Sequence, residues 1–396
     1  MRKITKYLAL VVLAILVIGV ALLIHRIYKN HYNIWLADYT FNSPTLDESS
    51  INGVIDIIYI AVDHWEPGGN VASVNSWAND YRVLADKHLD SDGVKVQHTF
   101  YYPIESFRGY EVDSLVSLCG DGYGDVEVHL HHKNDTSESL RQLFINGIDS
   151  LQAHGALINP SGKTYFSFVH GNWALDNSRD VNGVNYCGVN NELTILMDLG
   201  CYCDCTFPAL QDMAQPALVN KIYYATDDPE KPKSYDTGVR CEVGVTPQPD
   251  QLLIFEGPQM INWSDWRFKT HPTIDDGDIY DDMLPDSARF NIWVKAHVHV
   301  KGRPNWVFVR TLTHGAATKY RALDANLGEA MDDMLSAIEN KYKNSERYRL
   351  HYMTMREAYN VIKAAEAGND GDPNDFRDYI LEPYIYGEVN QTQERP

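Results

Sequence analysis

The sequence predicts an α/β fold: a distorted (β/α) barrel of about seven parallel strands, preceded by one N-terminal transmembrane helix. Three observations predict it: a long apolar segment near the N-terminus, several short runs rich in β-branched and aromatic residues, and amphipathic helical patterns between some of those runs. Buried strands that alternate with amphipathic helices favour a parallel sheet. About seven such strands over roughly 260 residues fit a barrel better than an open sheet.

The apolar segment runs from Leu8 to Ile24, and basic residues lie on both sides of it. Seventeen helical residues reach about 26 Å, which is enough to cross a slightly thinned bilayer. A cleaved signal peptide needs small residues at a cleavage site, and Gly19-Val20-Ala21 matches that pattern weakly. We therefore predict that residues 1–30 are an uncleaved anchor of a single-pass protein, with the folded part periplasmic or extracellular. A cleaved signal is the alternative.

The charge of the remaining chain is strongly acidic. Residues 1–30 hold five of the 34 Lys and Arg and none of the 54 Asp and Glu, which leaves 29 basic against 54 acidic residues, a net charge of −25, in residues 31–396. Phosphate binding needs clustered basic side chains, so a nucleic-acid partner is not expected. Such a surface suits neutral or cationic substrates.

The strand-like runs divide the chain. Residues 31–53 are predicted to be a polar tether, 54–320 the barrel with a long insertion near 227–290, and 321–396 helices packed on the outside of the barrel. Apolar runs typical of strands buried on both faces lie at Val54–Val62, Val94–Tyr102, Val126–His131, Thr164–Val169, Cys201–Phe207, Leu252–Phe255 and Trp306–Leu312.

Histidines are concentrated at the end of one of these strands, in Val128-His129-Leu130-His131-His132. On a strand, His129 and His131 point to the same face, one pleat apart. Two imidazole nitrogens placed in this way can bind one divalent cation, and zinc is the metal we expect.

Two other strand ends carry chemically active side chains. Asp63 and His64 close the first strand, where α/β barrels place catalysis, and both are candidate metal ligands. Asp63 is also the candidate base that activates a metal-bound water. His314 follows the last strand and is the candidate general acid. Candidate substrate-binding residues at these strand ends are Trp65, His170, Asn172 and Trp173.

These motifs, in this order, resemble the polysaccharide deacetylases of carbohydrate esterase family four. The resemblance covers Ile51–Ala317 and rests on Asp63-His64, His129-Leu130-His131-His132 and Leu312-Thr313-His314. It implies a divalent metal held by an Asp and two His, an Asp base, and a His acid that together remove N- or O-acetyl groups from a glycan. The family has a second Asp where this chain has His64, and it spaces its two His four residues apart. The ligand pair is therefore either His129 with His131 or His131 with Asp135.

The function that follows is a metal-dependent hydrolase that deacetylates a cell-envelope or extracellular polysaccharide. Three alternatives stay open: an amidase or esterase of a non-sugar acylated substrate on the same barrel, a non-catalytic glycan-binding envelope protein, and a metal-free glycosidase that uses Asp63 with Glu66.

Overall fold

The computed structural model describes residues 2–267, 271–317, 322–343 and 345–387. They form a mixed α/β fold with a mostly parallel central sheet. The strands are β1 Ile55–His64, β2 His98–Pro103, β3 Gly124–Leu130, β4 Phe166–His170, β5 Asp180–Val181, β6 Val184–Asn185, β7 Cys201–Asp204, β8 Lys221–Thr226, β9 Val239–Arg240, β10 Gln251–Glu256, β11 Met260–Arg267, β12 His271–Asp275, β13 Asp278–Ile279, β14 Trp306–Thr313 and β15 Tyr348–Tyr352. The helices are α1 Arg2–Lys29, α2 Tyr32–Phe41, α3 Val71–Ala85, α4 Gly109–Gly120, α5 Ser137–Ala153, α6 Glu192–Asp198, α7 Ser287–Lys295, α8 Ala322–Leu327, α9 Glu329–Ile338 and α10 Met355–Glu366.

Each of the seven apolar runs contains a strand, and these strands are consecutive neighbours in the sheet. The order is β13-β14-β1-β2-β3-β4-β7-β10-β8-β9, with β15 beside the first half of β1. From β14 to β10 every pairing is parallel, whereas β8 is antiparallel to both β10 and β9. The nearly continuous apolar character of β1 follows from this position, because a central parallel strand is covered on both faces.

The strand ladders among the described residues do not close the barrel that the sequence predicts, but the two ends of the sheet approach each other. Val298 forms an antiparallel bridge with Phe308 of β14, and Lys301 forms a parallel bridge with Glu242, just after β9. The fully buried guanidinium of Arg310 on β14 donates to the carbonyl of Cys205, just beyond β7, at 2.9 Å. A side chain of β14 thus reaches the backbone beyond β7, although the two strands are not neighbours in the sheet.

The N-terminal region has two helices of different character. The apolar part of α1 packs against nothing in the described chain, and an 18-residue stretch within Ile4–Lys29 has a mean hydropathy of 3.2, which is high enough for a membrane span or a signal sequence. The segment predicted as a tether contains α2, which contacts the folded part. Trp35 is buried, and the carboxylate of Asp38 accepts from the backbone N–H of Val219 at 2.9 Å and pairs with Lys221.

The C-terminal region contributes to the core as well as to the surface. Besides the predicted helices it supplies β15, which pairs with β1. Helix α10 is mostly buried and begins at Thr354, whose hydroxyl donates to Asp125 near the start of β3 at 2.7 Å. It ends at Glu366, which accepts from Tyr224 of β8 at 2.9 Å. The predicted insertion contains five short strands, β9 to β13.

Candidate metal centre

Four adjacent parallel strands end at the same edge of the sheet, and each contributes a polar side chain to one cluster. Because parallel strands share a direction, their carboxyl ends meet, and this edge is where α/β folds bind ligands. We call the following residues the strand-end cluster: His64 at the end of β1 and Glu66 just after it, Glu105 after β2, His129 in β3 and His131 just after it, and His314 after β14.

The centre of the strand-end cluster is a carboxylate between two imidazoles. Glu66 Oε1 lies 3.5 Å from His129 Nε2 and 3.4 Å from His131 Nε2. One donor atom from each of these three residues lies within 4.8 Å of the others, so the group could hold a metal ion. Glu66 sits on the turn that ends β1, where Gly69 at φ +88° lets the chain reverse direction.

Two further imidazoles flank this centre. The His64 ring centroid lies 4.6 Å from that of His129 and 4.6 Å from that of His314. Among the described residues, His64 Nε2, His129 Nε2 and His314 Nδ1 are buried and have no hydrogen-bond partner. Buried polar atoms are usually paired, so three such nitrogens at one point indicate a missing partner.

The opposite nitrogens of the two strand β3 histidines are already engaged. His129 Nδ1–H donates to the carbonyl of Val169 at 2.7 Å, and His131 Nδ1–H donates to Glu105 Oε1 at 2.7 Å. Metal-ligating histidines commonly donate their second nitrogen to a carbonyl or carboxylate, which fixes the tautomer and turns the other nitrogen towards the ion. The arrangement here has this form.

The protonation states of Glu66, His64 and His314 favour cation binding at the strand-end cluster. Burial raises the pKa of Glu66, but contacts with His129, His131 and His314 outweigh burial and bring its pKa to about 2. Burial lowers the pKa of His64 well below its usual value, and neighbouring histidines lower it further. Burial also lowers the pKa of His314, against the pull of Glu66. At neutral pH the carboxylate is therefore ionised and these two imidazoles are neutral, as metal ligands must be.

His131 differs from the other histidines. Burial lowers its pKa, but the carboxylates of Glu105 and Glu66 outweigh burial, and the pKa is raised. A proton on His131 would compete with a cation, so metal binding here should release that proton and weaken at low pH.

Asp63, predicted as ligand and base, has a different environment from His64. Its Oδ1 accepts from the backbone N–H of Gly315 at 2.8 Å, and a Cβ added to Gly315 would lie 2.2 Å from Oδ2 and 2.4 Å from the Trp77 ring. Burial raises the pKa of Asp63 well above its usual value. Glu66, not Asp63, is the carboxylate in contact with His129 and His131. Asp63 instead anchors the backbone beside His314.

The predicted substrate-binding residues lie in different environments. Trp65 is completely buried against Phe100 and Tyr102, so its ring belongs to the core. Asn172 and Trp173 are half-buried, both with positive φ, in the turn after β4.

Two histidines outside the strand-end cluster form a separate pair. His170 is buried, with its ring centroid 4.4 Å from that of His132. Asp135 bonds His132 at 3.1 Å. The sequence left two ligand pairs open, His129 with His131 and His131 with Asp135. His129 and His131 both contact Glu66, whereas Asp135 contacts His132.

Solvent reaches the strand-end cluster from one side. The side chains of Glu66, His131 and His314 are 27%, 35% and 36% exposed, whereas that of His129 is fully buried. The sequence interpretation did not identify Glu105, and it considered Glu66 only as a glycosidase carboxylate. Glu66 follows the end of β1 and Glu105 follows the end of β2. Their position after predicted strands was the indication in the sequence that they could belong to the site.

No protein-family model matches the chain, and no curated protein is significantly similar to it in sequence.

Proposed function

We propose that this protein is a membrane-anchored, metal-dependent hydrolase that removes acetyl groups from a cell-envelope or extracellular polysaccharide. The observation that carries the proposal is the convergence of Glu66, His129 and His131 within 4.8 Å at the carboxyl edge of the parallel strands. Two imidazoles and one carboxylate form a ligand set found in catalytic zinc sites, where further coordination positions stay open for water and substrate.

The donor set fits a divalent cation, with zinc as the first choice. Two imidazoles and an ionised carboxylate match its ligand preferences once the proton on His131 is released, and the partnerless His129 Nε2 faces Glu66. When bound, such an ion acidifies water towards neutral pH and polarises a carbonyl oxygen. His64 is close enough to His129 to serve as a further ligand.

The chain's own residues then supply binding and proton transfer. Because the pKa of His314 is lowered, its imidazole is neutral near pH 7 and can accept a proton from the attacking water. The same nitrogen can then return that proton to the departing amine or alcohol. Asp63, through its bond to Gly315 N–H, holds the backbone on which His314 is carried. It acts as a positioning residue and not as the base predicted from the sequence.

Substrate class, barrel closure and localisation are further parts of the proposal. The acidic folded part suits a neutral or cationic glycan, including a deacetylated amino sugar. The motif order resembles that of polysaccharide deacetylases. The bridges at Val298 and Lys301 support a distorted barrel that closes between β14 and β9. Helix α1 would anchor the enzyme, with the folded part periplasmic or extracellular.

The test uses the full chain in detergent. Metal content is measured by elemental analysis, and hydrolysis is assayed on acetylated glycans, simple amides and simple esters, before and after chelation. We expect chelator-sensitive deacetylation that zinc restores. His131→Ala should abolish it, whereas His154→Ala, at a surface histidine paired with Asp113, should not.

Other outcomes would replace this proposal. Turnover of simple amides or esters alone would indicate a non-sugar substrate on the same site. Glycan cleavage that survives chelation would indicate a glycosidase. Glycan binding without turnover, unchanged in His131→Ala, would indicate a binding protein.

A further inference from the structure

A second group of metal-ligand side chains lies beside the strand-end cluster and is completely enclosed. His132 follows β3, His170 ends β4, Cys187 lies in the loop after β6, and Glu192 begins α6. All four residues are buried, and one donor atom from each lies within 4.8 Å of the others. We call these four residues the buried tetrad.

The distances from Glu192 to the other three members of the buried tetrad are close to those between ligands of a tetrahedral ion. Zinc–ligand distances of about 2.0–2.3 Å place neighbouring donor atoms roughly 3.3–3.8 Å apart. Glu192 Oε1 lies 3.1 Å from His132 Nε2 and 3.5 Å from His170 Nε2, and Cys187 Sγ lies 3.3 Å from Glu192 Oε2. Only small shifts would bring four donors around one ion.

The outer nitrogens of both histidines are held by acceptors. His132 Nδ1–H donates to Asp135 Oδ2 at 3.1 Å, and His170 Nδ1–H donates to the carbonyl of Gly171 at 2.5 Å. Each Nε2 therefore points into the buried tetrad. This is the carboxylate or carbonyl support that orients metal-ligating imidazoles.

One atom in the buried tetrad lacks a partner without an ion. Without an ion, His132 Nε2–H and the Cys187 thiol can both donate to Glu192, and both protons would be released to solvent when an ion binds. His170 Nε2, in a completely buried side chain, has no hydrogen-bond partner among the described residues. An unsatisfied buried nitrogen costs stability. A cation at the centre would satisfy it.

The surrounding loop is built to bring Cys187 into place. The backbone N–H of Asp135 donates to the carbonyl of Cys187 at 2.9 Å, and Cys187 N–H donates to the side chain of Asn185 at 2.8 Å. A Cβ on Gly188 would lie 2.4 Å from the backbone nitrogen of Asp135, and Gly188 has φ +108°, so only glycine allows this approach.

We propose that the buried tetrad is a structural zinc site with a closed Cys-His₂-Glu ligand set, separate from the proposed catalytic site. Four protein ligands and no solvent access are typical of structural sites, whereas the strand-end cluster is open on one side. The ion would fasten the loop after β6 and the start of α6 to the ends of β3 and β4. It would thereby fix the backbone that carries His131. The inference does not depend on the proposed function.

Cobalt substitution of the full chain tests this site in a way that activity cannot. The strand-end cluster contains no sulfur ligand, so a thiolate-to-cobalt charge-transfer band in the near ultraviolet reports only on a site that contains cysteine. We expect this band in the wild-type protein after chelation and refilling with Co²⁺. Cys187→Ser should remove the band, whereas Cys119→Ser, at a buried cysteine on α4, should keep it.

Elemental analysis separates the two sites. We expect two zinc ions per wild-type chain. The single variants Cys187→Ser and Glu192→Gln should each keep one ion, at the strand-end cluster, and His129→Ala should keep one ion, in the buried tetrad. A wild-type chain that holds a single zinc ion, kept in His129→Ala and lost in Cys187→Ser, would defeat the proposed function and leave the buried tetrad supported. The structural-site proposal is overturned if folded, wild-type, cobalt-loaded protein shows no thiolate band, or if Cys187→Ser keeps it. Even if the variants fail to fold, the absence of a thiolate band from the folded, cobalt-loaded wild-type protein overturns the proposal.

Discussion

Asp63 and His64 are adjacent in the sequence, yet their side chains lie on opposite faces of β1. Asp63 accepts from Gly315 N–H and lies close to the Trp77 ring on α3, whereas the centroid of the His64 ring lies 4.6 Å from that of His129. Alternation along a strand requires this separation. The carboxylate that contacts His129 and His131 belongs to Glu66. Glu66 lies beyond the end of β1, so its side chain does not follow the alternation between the two faces of the strand.

Removing the Glu66 carboxylate should therefore weaken metal binding at the strand-end cluster. In Glu66→Gln the amide keeps the side-chain shape and loses the charge next to His129 and His131. We expect zinc affinity at this site to fall by at least tenfold and hydrolysis to fall with it. Competition with a chromogenic chelator measures the affinity.

Asp63→Asn is the matched control. Asp63 bonds Gly315 and its pKa is raised by burial, so a neutral amide should be tolerated and zinc affinity should stay within about twofold. Equal loss of zinc in Asp63→Asn and Glu66→Gln would contradict the assignment and restore Asp63 as a ligand.

His314 is predicted to transfer protons and not to hold the ion. His314→Gln should lower kcat by about 10²–10⁴-fold, the usual contribution of a general acid–base group. Zinc content should remain at the wild-type level, because Glu66, His129 and His131 are intact. The part of the acidic limb of the kcat/KM profile that reflects protonation of His314 should disappear, whereas the part that reflects competition between protons and the metal at His131 should remain. If zinc is lost with activity, His314 is a ligand.

The sequence allowed the central sheet to be predicted because its signal is local. All seven apolar runs became neighbouring strands, since a strand buried on both faces must be apolar almost throughout. Strand β15 was missed because Tyr348-Arg349-Leu350-His351-Tyr352 contains two basic residues. His351 is buried there only because Asp56 and Asp92 accept from it. Because Asp56 and Asp92 are far from His351 in the sequence, this pairing produces no periodic pattern around β15.

The candidate site was predictable in part for the same reason. His129, His131 and His314 follow apolar runs, so their placement at one edge followed from parallel strands. Cys187 lies in a loop whose course is set by turns and by contacts with Asp135, and nothing in its immediate sequence links it to His132. The buried tetrad therefore required coordinates.

The buried His351 should make stability depend on pH above neutrality. Burial lowers its pKa, but Asp56 and Asp92 outweigh burial and raise it from 6.5 to about 9. Because the folded-state pKa is the higher one, the stabilisation is complete below about pH 6.5 and is lost as pH rises towards 9. At roughly 1.4 kcal/mol per pKa unit, the rise from 6.5 to about 9 corresponds to a loss of at most about 3.5 kcal/mol.

His351→Gln should remove this dependence. The variant should be less stable than the wild type at pH 6 in guanidinium unfolding, and the difference should shrink by pH 9. His154→Gln is the control, because its exposed pair with Asp113 should contribute little at either pH. A difference between wild type and His351→Gln that is constant from pH 6 to 9 would mean that His351 carries no extra proton in the fold.

Helix α1 should determine whether the protein stays in the membrane, while α2 should remain with the folded part. Placing a charge in the middle of the span, as in Leu16→Arg, costs about 2.5–3.5 kcal/mol for insertion, and a double change with Val12→Arg roughly doubles this. We expect the doubly substituted protein to leave the membrane pellet, whereas the apolar pair Val12→Leu and Leu16→Ile should remain in it.

Analysis of the N-terminus separates anchor from signal, because an anchor keeps Leu8–Ile24 in the mature chain. A mature protein that begins after Ala21 would show that α1 is a cleaved signal, although Trp35 and Asp38 would still hold α2 in place.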